Sequence, residues 1–142
     1  MSAGVFLNRT ADHALRAMLY LGTSGRAGML RSEDLARATG IPPYYLQKVL
    51  RRLVDSRLLI SERGHNGGVA LARPARSISF GDVLRAVGDD PRVGCCAGCC
   101  VRQKRSCPLH SAYLALRRWA DGRSIAGQRS AARRRRPARR AK

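Results

Sequence analysis

Residues 32–53, SEDLARATGIPPYYLQKVLRRL, contain the pattern that decides the fold. Ser32 can cap a helix, and Gly40 is suited to end it because glycine tolerates the left-handed backbone that follows a helix C-terminus. Pro42 and Pro43 then start another helix, where their missing N–H groups do no harm. Apolar residues recur along it at helical spacing, and they are Leu46, Val49, Leu50 and Leu53. The sequence therefore predicts two short helices joined by a tight turn.

The other face of the second helix is polar and basic. Its residues are Tyr45, Gln47, Lys48, Arg51 and Arg52. A helix-turn-helix with such a face on its second helix can place that helix in the major groove of DNA. Taken alone, the pattern also fits an ordinary helical hairpin, so the next segment decides between the two interpretations.

A β-hairpin is predicted directly after the second helix. Residues 58–62 and 69–73 read as strands, and the segment RGHNGG at residues 63–68 separates them. Its asparagine and glycines can adopt the positive φ angles of a tight hairpin turn. A hairpin in this position is the wing of a winged helix-turn-helix. Arg63, at its base, is placed to meet phosphate or the minor groove, and we expect His65 to face solvent.

Two further helices flank this unit. Residues 10–21 have an apolar face at helical spacing, with Thr10 as the predicted N-cap. Ser79 and Asp82 have the spacing of a capping box, which predicts the start of a helix over residues 80–87.

A last amphipathic helix is predicted to begin at Pro108 and to end near Gly122. Its apolar face can pack on its own domain or on a second subunit, so we expect dimerisation. The predicted fold class is mainly α with a small β-hairpin wing, a winged helix-turn-helix plus a C-terminal dimerisation helix. The predicted segments are the DNA-binding domain (1–90), a cysteine-rich cluster loop (91–107), the dimerisation helix region (108–128) and a basic disordered tail (129–142).

Composition points to a polyanionic partner. The 142 residues include 28 Lys and Arg against nine Asp and Glu, a net charge of +19. This length excludes a large multidomain enzyme, and a 44% hydrophobic content is that of a chain that folds. Eight of the basic residues lie in residues 129–142, where they can contact phosphates without reading sequence. We expect a cytoplasmic protein with no membrane association, because no apolar run reaches the length of a membrane span and the N-terminus is too short and polar for a signal peptide.

Five cysteines lie within thirteen residues of one predicted loop. They are Cys95, Cys96, Cys99, Cys100 and Cys107, and His110 follows closely. Soft thiolates bind iron–sulfur clusters, zinc or copper(I), and a structural zinc would favour two separated pairs. The residues favour an iron–sulfur cluster and leave a zinc site, a thiol redox switch or inert thiols open. A redox enzyme is disfavoured, because the Cys96–Cys99 spacing lacks the βαβ context of such enzymes.

Several segments together resemble the Rrf2 family of winged helix-turn-helix regulators, whose members include IscR and NsrR. The resemblance covers about residues 5–128 and rests on TADHALRAMLYL at 10–21, IPPYYLQKVL at 41–50 and RGHNGGVALARP at 63–74. It implies a dimeric transcription factor that binds double-stranded DNA, and a symmetric dimer would match a palindromic operator. The DNA-binding residues that it implies are Tyr45, Gln47, Lys48 and Arg51 in the groove and Arg63 in the wing.

The resemblance also implies a ligand set. In cluster-binding members, three loop cysteines hold a [2Fe-2S] or [4Fe-4S] cluster, and the nearest matches here are Cys95, Cys100 and Cys107. His110 stands where IscR-like members have a ligating histidine. Asp12 stands where NsrR-like members supply a carboxylate from the partner subunit. Cys96 and Cys99 are extra thiols and alternate ligands.

The sequence as a whole predicts a sequence-specific DNA-binding transcriptional regulator rather than an enzyme. We expect a repressor whose iron–sulfur cluster senses nitric oxide, redox stress or cluster supply. The alternative is a cluster-free winged-helix regulator that uses its thiols as a redox switch or binds a structural zinc.

Overall fold

The computed structural model describes residues 8–24, 28–89 and 108–127, with side chains from residue 115 onward in the last range. Its elements are α1 (Arg9–Thr23), α2 (Ser32–Thr39), α3 (Pro43–Asp55), β1 (Leu59–Glu62), β2 (Gly68–Leu71), a 3₁₀ turn (Ala75–Ser77), α4 (Phe80–Ala86) and α5 (Pro108–Asp121). The predicted mainly α fold with a small β-hairpin is confirmed, since the described chain is mostly helical with one two-stranded antiparallel hairpin. No helix in these ranges is long and apolar enough to cross a membrane.

Helix α1 packs against α2, α3, α4 and β2. Its buried side chains are Ala11, Ala14, Ala17 and Met18. Three alanines let the neighbouring helices approach closely without leaving voids. The predicted N-cap Thr10 is wrong, because the cap is Asn8, whose side-chain oxygen accepts a hydrogen bond from the Ala11 backbone N–H at 2.8 Å. Asn8 lies just before the first helical residue, where a side chain can satisfy a free N–H of the first turn.

The helix-turn-helix agrees with the prediction except at its start. Gly40 follows α2 with a φ of 68°, and α3 begins at Pro43. Ser32 is the first residue of α2 rather than its cap, because the extended backbone of the cap position is that of Arg31. The Ser32 hydroxyl instead accepts a hydrogen bond from the Gln47 side-chain amide at 3.2 Å. The predicted apolar stripe of α3 is buried, and it consists of Leu46, Val49, Leu50 and Leu53.

The wing is a short hairpin with an extra pairing partner. Strands β1 and β2 pair antiparallel. Each has four residues, one fewer than the predicted strands at 58–62 and 69–73. The positive φ in their turn belongs to Gly64 at 112°, whereas Asn66 has a negative φ, which corrects the role given to the asparagine. Leu30 exchanges two backbone hydrogen bonds with Val69, of 2.9 and 2.8 Å. The chain before α2 therefore supports the edge of the wing.

Helix α4 begins as predicted. The Ser79 hydroxyl accepts from the Asp82 backbone N–H, the Asp82 carboxylate accepts from the Ser79 backbone N–H, and both distances are 3.0 Å. This reciprocal pair satisfies two N–H groups that the first turn of a helix leaves without partners. The helix ends at Ala86, one residue before the predicted end.

The chain after α5 returns to the start of α4, a contact that was not predicted. Helix α5 ends at Asp121, directly before the expected stop at Gly122. The Ile125 backbone N–H then donates to the Ile78 carbonyl at 3.0 Å, and both side chains are fully buried. Residues 123–125 thereby fasten the C-terminal end of α5 to the winged domain.

Candidate nucleic-acid interface

A concave groove of about 790 Å³ lies between α3 and the wing. Three arginines from different elements line it, namely Arg31, Arg51 and Arg63, together with the three acids Glu33, Asp55 and Glu62. Helix α3 has 13 residues, so it is about 20 Å long and can lie along a major groove about 12 Å wide. The carboxylates repel any phosphate that approaches them, whereas the arginines attract it. This mixed charge favours one fixed placement of DNA in the groove.

The outermost stripe of α3 consists of Tyr44, Gln47, Lys48 and Arg51. All four are exposed, and their spacing of i, i+3, i+4 and i+7 places them on one face. The sequence analysis missed Tyr44. Its position could have been predicted, because Tyr44 lies three, four and seven residues before Gln47, Lys48 and Arg51.

Two other residues of the predicted face lie at its flanks. Tyr45 is 47% exposed, and its ring centroid lies 6.1 Å from that of His13 on α1. Arg52 donates a hydrogen bond of 2.8 Å to the carbonyl of Val87, which follows α4. The assignment of Arg52 to the outward face is therefore corrected, because its guanidinium is turned toward α4. Tyr45 stays at the edge of the groove-facing surface.

Tyr44 and Lys48 form a unit in the first two turns of α3. The Lys48 ammonium lies 4.3 Å from the centre of the Tyr44 ring, a cation–π contact. The rings of Tyr44 and Tyr45 meet edge to face, with centroids 5.7 Å apart. Hydrogen bonding and the positive charge of Lys48 lower the pKa of the Tyr44 phenol.

Arg63 is exposed on the wing, and Arg31 is hydrogen-bonded to the wing loop. Arg31 donates from its guanidinium to the His65 carbonyl at 2.8 Å, which ties the wing loop to the start of α2. His65 is exposed, as predicted. Among the described residues, neither the Arg51 nor the Arg63 side chain makes a hydrogen bond or ion pair, and both residues are exposed. Their guanidinium groups are therefore available to phosphates or bases.

Most of the predicted metal ligands lie outside the described residues. These are Cys95, Cys96, Cys99, Cys100 and Cys107, together with the side chain of His110, whose backbone is in the first turn of α5. Asp12 is described, and its carboxylate pairs with the Arg16 guanidinium at 3.0 Å. Within the described part of the chain, no three His, Cys, Asp or Glu side chains are grouped to hold a metal ion.

The chain that follows α4 is hydrogen-bonded to α3 and to the cap of α1. Arg52 of α3 holds the Val87 carbonyl, and the Asn8 backbone N–H donates to the Asp89 carboxylate at 3.3 Å. The last described residue before the cysteines is Asp89. The chain up to Asp89 is therefore hydrogen-bonded both to α3 and to the residue that caps α1.

Helix α5 is clamped to α4 by charge and leaves apolar side chains exposed. Arg85 donates to the Asp82 carboxylate at 2.7 Å and to the Asp121 carboxylate at 2.9 Å. Burial alone would raise the pKa of Asp82, but hydrogen bonds from Ser79 and Arg85 outweigh it and lower that pKa.

On the surface of α5, Leu116 is 49% exposed and Trp119 is 54% exposed. The Trp119 ring meets Phe80 edge to face at 5.6 Å. Exposed apolar groups beside one another are typical of a surface that a partner covers.

Comparison with known proteins gives a consistent answer. The family model of Rrf2, described as an iron-dependent transcriptional regulator, matches residues 7–121. A protein of Mycobacterium tuberculosis strain H37Rv, named as an HTH-type transcriptional regulator, is 43% identical over 81 residues, which cover 57% of this chain and 50% of the relative. The HTH-type transcriptional regulator NsrR of Oceanobacillus iheyensis is 31% identical over 84 residues, covering 59% of this chain and 57% of the relative. The chain thus spans only about half the length of these relatives.

Solved structures show the same fold. CymR, the global cysteine regulator of B. subtilis, superposes with a TM-score of 0.69 at 17% identity, covering 85% of this chain and 93% of that one. IscR of T. potens superposes with a TM-score of 0.66 at 21% identity, covering 98% of this chain and 94% of that one.

Proposed function

Because the chain belongs to the Rrf2 family of DNA-binding transcriptional regulators, we propose that it is a repressor that binds a palindromic operator as a homodimer and carries an iron–sulfur cluster. The relatives are transcriptional regulators and not enzymes. As an operator-binding protein, it acts in the cytoplasm.

The groove between α3 and the wing carries the DNA-binding part of this proposal. Gln47, Lys48 and Arg51 face outward from α3 and reach base edges in the major groove, where each base pair has a distinct pattern of donors and acceptors. Tyr45 contacts DNA at the edge of this surface. Arg63 meets the phosphate backbone or the minor groove from the wing, and it fixes the register rather than the sequence.

The exposed apolar surface of α5 supports the dimer. Leu116 and Trp119 are about half exposed, although α5 is fixed at its C-terminal end by Asp121. A symmetric dimer formed by a second copy that covers these side chains can bind two half-sites if its two α3 helices lie about 34 Å apart, one turn of the DNA. The repeat of a palindromic operator fits this symmetry.

The donor set fits an iron–sulfur cluster. We assign Cys95, Cys100, Cys107 and His110 as ligands, with Cys96, Cys99 and Asp12 as alternates. Thiolate and imidazole donors are the ligands that such clusters take, and the family model describes iron-dependent regulators. Asp12 ranks behind His110 because its carboxylate is already paired with Arg16. A bound cluster would make this segment responsive to nitric oxide, oxidants or cluster supply, and the Arg52–Val87 bond holds the chain that precedes the segment to α3.

The DNA-binding proposal is tested with an operator selected from randomised duplexes. Fluorescence anisotropy at several salt concentrations compares the wild type, Arg63→Ala and the control Arg118→Ala, an exposed arginine of α5 that does not line the groove. Loss of one phosphate contact per subunit should reduce the slope of log affinity against log salt by about 1 for each contact. Equal slopes for Arg63→Ala and the wild type would contradict the wing assignment.

The cluster proposal is tested by anaerobic purification, a visible spectrum and assays of iron, sulfide and zinc. We expect iron and sulfide with visible absorbance, and loss of that absorbance in Cys107→Ala. Zinc alone would instead make the cysteines structural. A colourless protein without either metal, even after anaerobic reconstitution, would leave a thiol switch as the alternative and contradict the cluster.

A further inference from the structure

Tyr44 is an exposed aromatic side chain that none of the contacts assigned above uses. It is 67% exposed, which is more than any other large hydrophobic side chain among the described residues. It lies in the first turn of α3, directly after Pro43. An aromatic ring placed in solvent at this position requires an explanation, because it gains nothing from burial in the folded monomer.

The Tyr44 ring is held in place from two sides. Lys48, one turn further along α3, places its ammonium 4.3 Å from the ring centre. Tyr45 meets the ring edge to face, and Tyr45 itself faces His13 of α1. A ring that is already oriented loses little rotamer freedom when it meets a partner. The arrangement is therefore that of a preorganised contact.

The partner is defined by where the ring lies. The N-terminal residues of a recognition helix contact base edges in the major groove. Among the four bases, thymine alone presents an apolar group there, its C5-methyl. We propose that Tyr44 reads a thymine in each half-site by packing its ring against that methyl group, and that Lys48, in addition to its own contact in the groove, holds the ring in position. This inference rests on operator binding by α3 and is independent of the cluster.

The test removes the methyl group and nothing else. In the selected operator, each thymine of a half-site is replaced in turn by deoxyuridine, together with its symmetry mate. Affinities are measured by anisotropy for the wild type, Tyr44→Ala and Tyr44→Phe. At one position the wild type should lose roughly fourfold in affinity per half-site, the equivalent of about one buried methylene. Tyr44→Ala should show no loss at that position, and Tyr44→Phe should keep it.

Lys48 is tested by the same ratio of affinities for thymine and deoxyuridine, not by affinity itself. Lys48→Ala should reduce the discrimination, and Lys48→Arg should retain it, because a guanidinium can also cover an aromatic ring. A general loss of affinity without a change in this ratio would overturn the role given to Lys48.

Two results would overturn the thymine contact. One is that the wild type and Tyr44→Ala show the same ratio of affinities for thymine and deoxyuridine at every position. The other is loss of discrimination in Tyr44→Phe as complete as in Tyr44→Ala, which would make the phenol hydroxyl, and not the ring, the contacting group. A wild-type protein that selects no operator would instead refute the proposed function, so the two failures are distinguishable.

Discussion

Replacing Arg85 by methionine tests whether charge joins α5 to the DNA-binding unit. The Arg85 guanidinium bonds to Asp82 at 2.7 Å and to Asp121 at 2.9 Å, and Arg85 and Asp121 are 36 residues apart in the chain. Methionine keeps an unbranched apolar stem and removes both bonds. The capping box of Ser79 and Asp82 does not use Arg85 and should persist.

The expected magnitude follows from the exposure of the three groups. A buried hydrogen bond to a charged group contributes about 1.5–3 kcal/mol, whereas an exposed ion pair contributes about 0–1 kcal/mol. The side chains of Arg85, Asp82 and Asp121 are 32%, 30% and 38% exposed, which lies between these limits. The pair with Asp82 lies within one helix turn and adds only a few tenths. We expect Arg85→Met to lower the free energy of unfolding by about 1–2 kcal/mol.

The assay is urea unfolding followed by circular dichroism at 222 nm. All variants are compared at one protomer concentration, because the proposed dimer would make the measured stability depend on concentration. Arg118→Met, an exposed arginine on the same helix α5, is the control and should stay within about 0.5 kcal/mol of the wild type. A double-mutant cycle with Asp121→Asn should give a coupling energy of about 1 kcal/mol. If Arg85→Met matched its control and the coupling were zero, the clamp would not stabilise the protein.

Three further predictions concern stability, the wing and the core. The pKa of Asp82 is lowered in the folded state, so its contribution is complete above the unfolded-state value of about 4 and is lost as pH falls through the folded value. Asp82→Asn should therefore flatten the acid limb of stability measured by urea unfolding against pH, and an unchanged limb would contradict this role. Arg31→Ala should speed hydrogen exchange of the wing-loop amides around His65 while lowering global stability by only about 1 kcal/mol, and equal exchange in both proteins would argue against the tether. Leu53→Ala should lower the free energy of unfolding by about 2–5 kcal/mol, because Leu53 is fully buried, and a change below about 1 kcal/mol would remove it from the core.

Local patterns were sufficient for the helix-turn-helix and the start of α4. The apolar stripe of α3, the stop at Gly40 and the capping box of Ser79 and Asp82 each depend on residues within two turns of one another. Such spacing is visible in the sequence itself. The cap of α1 was wrong by two residues because Asn8 and Thr10 are both good capping residues, and only the position of the first helical residue chooses between them.

Features that depend on packing between distant segments could not be predicted. Arg52 looks like its neighbour Arg51 in sequence, but the Val87 carbonyl at the end of α4 lies within its reach and turns it away from the groove. The return of Ile125 to Ile78 requires that α5 lies along α4, which no local pattern encodes. Tyr44 differs from these cases, since its spacing to Arg51 was available in the sequence.

The most direct test of the proposed function is the operator affinity of one anaerobic preparation, measured before and after removal of iron with a chelator. Coupling between two sites in one protein typically changes affinity by about 5- to 150-fold. If a cluster on the cysteine segment acts on α3 through the preceding chain, which the Arg52–Val87 bond holds to α3, the affinity for the selected operator should change by at least about fivefold. Equal affinities before and after iron removal would contradict an iron-linked repressor and leave a regulator whose DNA binding does not depend on a cluster.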